Sequence, residues 1–459
     1  MAAAIDIPYV NTDFPLQAAV SQEFPAATIT QCARITTRVY DVNRQSTATV
    51  GNVIIPIVQR TPSASDGRTM SRVEPALSSS MRNVDSDSDS DSDDEDEYME
   101  SSQESLENAP QRAYWLQRTL RKAIFGKVRF GQVLRRRTAE EKADSNSTAD
   151  WEVTGDHCAV KEMNWDLIRR NQGRTSENPI MEVNALQYIG LADANGGDEP
   201  PNKNVLTPLD LLSDERFLYN ILPYCNNGEL FDRLESKARF DENESRYWFR
   251  QLLEGLRFLQ HVGVCHRDTS LENVMVHNDQ ALIIDLGMTL LIPFASISSS
   301  GSPHIEVTAK FIANNAVANG ARETSAPRQA RMLMNPSSRC GKWQYMSPEI
   351  HDNQRPFDGY AVDLWAAGVM LFLMVTGFPP WERANDADER FRYMTRGYMV
   401  QLLTEWDLNL SPELMDLLQA MLYKEPQQRL CLEQILGHAW MQKGNDYVLP
   451  EEPRDQAWM

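Results

Sequence analysis

The sequence predicts an α+β chain in two lobes, a strand-rich part followed by a larger, mainly helical one. Three observations predict it. Short runs of β character, such as AIFGKVRFGQV and CAVKEM, gather after Tyr114;. From Asp241 onward apolar residues recur at helical spacing instead;. The strand-rich part also precedes the helix-rich part, whereas a parallel sheet would need the two to alternate.

Taken in order, residues 1–110 form an acidic Ser/Asp-rich region with no sustained apolar period, expected to lack a fold of its own;. TTRVYDVN and NVIIPIVQ, between Ile35 and Val58, are its only strand-like pieces and carry little weight there. The folded domain is expected over 111–441, with the small lobe over about 111–224, the large lobe over about 225–441 and a tail over 442–459;. Within the small lobe, RRRTAEEKADSNSTAD has the polarity of an exposed loop. Asp241 to Val262 places Trp248, Leu252, Leu256 and Leu259 on one face, with Asp241 and Glu244 spaced as a capping pair;. NVMV and ALIID, joined by His277-Asn278-Asp279-Gln280, predict a hairpin;. Further helices are expected over 360–377, 393–403, 412–423 and 432–440.

Composition narrows the function. The chain has 459 residues, 42% of them hydrophobic, enough for a sizeable core;. Its net charge is −20, half of it from Asp85–Glu100, which holds ten acidic and no basic side chains. Such a balance excludes phosphate-backbone attraction as the main mode of action, so no nucleic-acid partner is expected. The run itself is either a solvated tail or a tract of acid-directed phosphorylation sites. The N-terminus lacks the pattern of a secretory signal, and the longest apolar stretch, 366–378, is short for a bilayer;. Six scattered cysteines without metal-like spacing suit a reduced compartment;. The expectation is a monomer in the cytoplasm, with the nucleus as a second location and no membrane partner.

The strongest chemical signal is His266-Arg267-Asp268-Thr-Ser270-Leu-Glu-Asn273, between the long helix and the hairpin. Asp268 and Asn273 bring a carboxylate and an amide oxygen to one loop: the first can take a proton from a hydroxyl, the second can bind a metal. Asp285-Leu286-Gly287 follows the hairpin and adds a second carboxylate.

These residues resemble eukaryotic protein kinases of the Ser/Thr type, and other pieces stand in the family's order. Upstream are Gly126-Lys-Val-Arg-Phe-Gly131-Gln-Val133, Ala159-Val160-Lys161, and Glu182 in a helix-like stretch. Downstream are Ser347-Pro348-Glu349, Asp363-Leu364-Trp365 and Arg429;. The resemblance covers Tyr114 to Trp440, and Gly377-Phe-Pro-Pro-Trp381 with LxxILGHAW makes it most like the calcium/calmodulin-kinase-like group. It implies the bilobal protein-kinase fold, with a small antiparallel β-sheet lobe plus one helix and a larger, mainly helical lobe, together with ATP and Mg2+ as cofactors and protein substrates. Asp268 is then the catalytic base. Lys161 grips the nucleotide phosphates, Glu182 orients Lys161, and Asn273 and Asp285 hold metal. Gly126, Gly131, Val133 and Ala159 are implied around the nucleotide. Leu222 backs the adenine pocket, Pro223 and Cys225 meet the adenine edge through their backbones, and Glu229 reaches the ribose or a basic substrate side chain. Glu272 faces another basic side chain, Glu349 and Arg429 form a buried pair, and Leu186, Leu209, His266 and Leu286 stack through both lobes.

The sequence departs from the family at named points. Val128 replaces the middle glycine of the phosphate loop, stiffening it. Ser270 replaces the lysine that neutralises the transferring phosphate, and Lys342, where a Thr is usual, is positioned to repair part of that charge. DLG and SPE replace DFG and APE. The inserted activation segment, about 288–340, is rich in Ser, Thr, Ala, Asn and Gly from Ser296 to Pro336 and expected to be mobile;. Thr324, Ser325, Ser337 and Ser338 are its candidate phosphate acceptors for Arg267. Two functions remain: a kinase transferring the γ-phosphate of ATP to Ser or Thr hydroxyls, or a pseudokinase scaffold without efficient transfer.

Overall fold

The computed structural model describes residues 15, 18–57, 109–195, 202–297, 303–308, 328–444 and 447, with backbone alone for 195, 294–297, 303–308 and 328–330. The acidic run, Thr324, Ser325 and the end of the C-terminal tail lie outside the described residues.

Seven strands build the small lobe: β1 (Thr30–Asp41), β2 (Ser46–Pro56), β3 (Arg112–Ala123), β4 (Gly126–Arg136), β5 (Trp151–Asn164), β6 (Asp210–Ser213) and β7 (Phe217–Pro223). They close into a barrel in the order β1-β2-β3-β4-β5-β7-β6, sealed where Thr30 and Gln31 pair with Leu212 and Ser213. Its interior is apolar, with Ile54, Tyr114, Val133, Cys158, Val160 and Ile221 packed together.

The β1–β2 hairpin corrects the expectation that residues 1–110 lack structure. Alone, the hairpin would bury too little to persist; laid on β3 and β6 it buries Val53 and Ile54 completely;. The polar stretch between β4 and β5 also contains a short helix, α1 (Ala139–Asp144). It is stabilised by a capping box in which Thr138 accepts from the Glu141 amide and Glu141 accepts from that of Thr138;.

After β5 come α2 (Trp165–Asn171) and α3 (Pro179–Asn195), which lies beside the barrel. The large lobe follows with α4 (Leu230–Lys237) and α5 (Glu242–His261). Trp248, Leu252, Leu256 and Leu259 of α5 are buried, as the spacing predicts. Asp241 caps α5 by accepting from the amides of Asn243 and Glu244, but the Glu244 side chain turns away to Lys237 at 2.8 Å. The expected hairpin forms from β8 (Val274–His277) and β9 (Gln280–Ile283). Within the inserted segment, β10 (Phe294–Ile297) pairs with β11 (Pro303–Thr308) and β12 (Arg328–Arg331), so its described residues include a small antiparallel sheet.

Beyond it, α6 (Pro348–Asp352) leads to α7 (Gly359–Thr376), which is buried along its whole length. It is long and apolar enough to cross a membrane, but here it forms the centre of the large-lobe core;. Helices Glu389–Tyr393, Met399–Glu405, Pro412–Met421, Leu432–Leu436 and Ala439–Gln442 complete the lobe.

The chain before β1 crosses from one lobe to the other. Ala18–Ala19 pairs in parallel with Leu333–Met334, and the Gln22 amide donates to Leu291 O. Farther on, the amides of Ala27 and Thr28 donate to the side chains of Asn184 and Gln187 on α3.

Candidate active site

Alternation along β5 sends Cys158 and Val160 into the barrel and leaves Ala159 and Lys161 on the face toward the large lobe;. Asn178 starts α3: its side chain accepts from the amides of Ile180 and Met181, and its own amide donates to Gly287 O at 3.3 Å;. Glu182, one turn in, accepts from Lys161 Nζ at 2.6 Å, and Asp285 Oδ1 lies 3.9 Å from the same ammonium. Burial alone would favour a neutral lysine, but Glu182 and Asp285 outweigh it and raise the Lys161 pKa;. Burial also pushes the Asp285 carboxyl up. Lys161, His266 and the Gly287 amide together overcome that and hold it below the ordinary range.

Asp363, buried on α7, sets the loop that carries Asp268. Its carboxylate accepts from the amides of His266 and Arg267 at 2.7 and 2.8 Å, while Arg267 adopts φ 64°. Loop and β9 end are joined by the His266 ring, 2.9 Å from Ile284 O. Asn273 Nδ2 donates to the Asp268 carbonyl at 2.7 Å and to Oδ2 at 3.1 Å. Burial raises the Asp268 pKa, against the opposing charges of His266 and Lys342. Ser270 is fully buried, and its hydroxyl is 2.9 Å from Lys342 Nζ.

The nucleotide-facing residues fall less simply. Ala159 lies opposite Leu222 on β7 and opposite Phe130 on β4. Phe130 also meets the Tyr224 ring edge-on at 4.9 Å, next to Pro223 and Cys225. Leu222, Cys225, Met275 and Ile284 share one apolar cluster, forming the wall and floor of the cleft. Glu229 pairs with Arg121 at 3.3 Å.

Gly126, Gly131 and Val133 require a correction. The β3–β4 turn is Ile124-Phe125, and Gly126 to Gly131 is a regular strand paired residue by residue with β5. Val133 and Gly131 lie on the barrel side: Val133 joins the interior, and a Cβ at Gly131 would come within 2.9 Å of Cys158 Sγ. A Cβ at Gly126 would strike Glu162 O, so that glycine permits close strand packing. Phe130 therefore holds the place over the cleft that the glycine pattern assigned to Val133.

Other expected partners do meet. Arg429 makes two bonds to Glu349, at 2.7 and 2.8 Å, and Tyr345 OH donates to Glu272 at 3.0 Å. Leu186 and Leu286 share the main core, but Leu209 packs against the barrel interior. Of the candidate acceptors, Ser337 Oγ accepts from Arg267 Nη1 at 3.0 Å.

Phe130, Met275 and Ile284 were not singled out in the sequence, although the strand alternation around Ala159 held the signal for Phe130. Glu177 was missed as well. It is a half-buried carboxyl whose pKa burial and Asp285 raise, and it lies in a polar loop with no pattern to mark it.

A sequence model described as "Protein kinase domain" matches residues 150–327 and 321–441. The chain belongs to the protein kinase family. Among curated relatives, CBL-interacting protein kinase 1 of Oryza sativa subsp. japonica is 25% identical over 353 residues, 75% of this chain and 59% of that protein. Serine/threonine-protein kinase SAPK4 of the same organism is 26% identical over 253 residues, 55% of this chain and 57% of that one. Sperm motility kinase 2B of Mus musculus is 25% identical over 305 residues, 66% of this chain and 50% of that protein. The chain thus spans between 50% and 59% of these relatives' lengths.

Proposed function

We propose that this kinase-family chain is an ATP- and Mg2+-dependent protein serine/threonine kinase. The observation that carries the reading is the Lys161–Glu182 contact at 2.6 Å, with Asp285 beside it and Asp268 bonded to Asn273. In this reading Lys161 binds phosphate oxygens, and Glu182 holds its ammonium in place. Asp268 accepts the hydroxyl proton at a carboxylate oxygen. Its raised pKa makes it a better base than an exposed aspartate;. Asn273 orients that carboxylate through Nδ2.

Asn273 and Asp285 are the residues that would hold Mg2+. Both offer hard oxygen donors, and Asn273, with Nδ2 committed to Asp268, retains its amide oxygen for a cation;. Bound there, the metal would neutralise charge on the phosphate oxygens. Protein substrates and a cytoplasmic setting belong to the same reading, the latter supported by six cysteines that form no disulfide;.

A scaffold reading has two observations in its favour. The β4 amides that would cradle phosphates are engaged in the β-ladder, and Ser270 brings no charge;. ADP release from Mg2+-ATP with a Ser/Thr peptide library separates the two. The kinase reading expects turnover by wild type and near-background rates for Asp268→Asn and Lys161→Met; equal background for all three sinks it.

A further inference from the structure

We propose that Lys342, from the end of the activation segment, supplies the cation that the catalytic loop lacks and contacts the phosphoryl group in transfer. The inference rests on the kinase reading above and names a further residue of the same site.

Lys342 is fixed at its backbone from both sides. Its amide donates to Asp268 Oδ1 at 3.2 Å, and its carbonyl accepts from the amides of Tyr345 and Met346, both at 3.0 Å. Gly341, at φ +87°, makes the turn that allows this, and a Cβ there would come within 2.9 Å of Arg267 O;. The side chain then runs to the catalytic loop, where Nζ lies 2.9 Å from Ser270 Oγ and 3.3 Å from Glu272.

Ser270 ends in a hydroxyl too short to reach past the loop, whereas a lysine at 270 would project an ammonium into the space the Lys342 head group occupies. The charge is thus delivered from the segment that precedes Glu349 and not from the catalytic loop itself. Being 39% exposed, the Lys342 side chain keeps its head group open to an incoming phosphate. Glu272 and Tyr345 brace the arrangement, since Tyr345 OH donates to the other Glu272 oxygen. A cation at this place acts most strongly when charge moves onto the transferring oxygens, so it lowers the barrier more than it tightens nucleotide binding.

The test uses the full chain with Mg2+-ATP and a Ser/Thr peptide library, comparing wild type, Lys342→Met, and Lys342→Met combined with Ser270→Lys. Lys342→Met is expected to lower kcat about a hundredfold while the KM for ATP stays within about threefold. The thermal midpoint should stay near wild type, and the double variant should regain at least about tenfold of the loss. Turnover by Lys342→Met at the wild-type rate overturns the inference and leaves the kinase reading standing. So does a loss that Ser270→Lys fails to repair, or one accompanied by a lowered thermal midpoint, because Lys342 would then act only as the ion-pair partner of Glu272. A silent wild type would instead defeat the kinase reading, and this inference with it.

Discussion

Phe24 meets Tyr188 edge-on, with ring centroids 5.6 Å apart, and so fastens the chain before the barrel to the helix that carries Glu182. The contact is buried in the main core, and bonds from Ala27 and Thr28 to Asn184 and Gln187 continue it along the same helix. Removing the ring leaves a cavity between this segment and α3, so Phe24→Ala is expected to cost about 3 kcal/mol. Turnover should fall as well, since Glu182 loses part of its support. Urea unfolding and ADP release at a temperature well below the midpoint check both. Unchanged unfolding would mean that the segment only rests on the domain.

Arg429 is 1% exposed, stacks over Trp365 at 4.5 Å and holds both oxygens of Glu349. Arg429→Met leaves the Glu349 carboxylate without its cation in a dry site and is expected to destabilise by about 3–5 kcal/mol. Replacing both residues, by Met and Leu, should cost less than the single change, because no stranded charge remains. Denaturant midpoints of the three variants decide it; a double variant weaker than Arg429→Met contradicts the account.

Asn220 lies opposite Lys161 in the sheet, fully buried, and neither atom of its amide has a partner among the described residues. Burial of an unbonded amide is unfavourable, so Asn220→Leu is expected to stabilise the fold by about 1–2 kcal/mol. A lowered midpoint would instead reveal a bound water or an inserted ligand group that bonds the amide.

Burial pushes the thiols of Cys32 and Cys158 up to about 12 and that of Cys225 to about 11. At pH 8 a thiol with pKa 12 is about one part in ten thousand thiolate, the only form that reacts quickly. Cys265 and Cys340 are also buried and raised, whereas Cys431 is partly exposed. Brief iodoacetamide treatment of the folded protein should therefore add one label, at Cys431, by peptide mass spectrometry. Fast labelling at Cys225 would show the cleft wall opening on that timescale.

The catalytic loop was legible in the sequence because its parts are local: five positions separate Asp268 from Asn273, and a hairpin leads to Asp285. The barrel was not. Its first hairpin is followed by a long polar stretch before β3, and β1 alternates too weakly to announce a buried face, since only Cys32 and Val39 along it are buried. The glycines of β4 misled for another reason. The resemblance placed Val133 around the nucleotide, but strand pairing with β5 decides which side chains face the cleft, and it puts Phe130 there, opposite Ala159;. Phe24 had no period around it, so nothing marked it as a core residue.

A β-sheet with a free margin invites other polypeptides to lie alongside it, backbone to backbone. Among the described residues the seven strands of this small lobe close on themselves, because the first is bonded to the sixth at Thr30 and Gln31 as well as to the second. Where the strands are closed in this way, a regulator that acts on this half of the molecule grips side chains or turns, and its selectivity is written in surface chemistry.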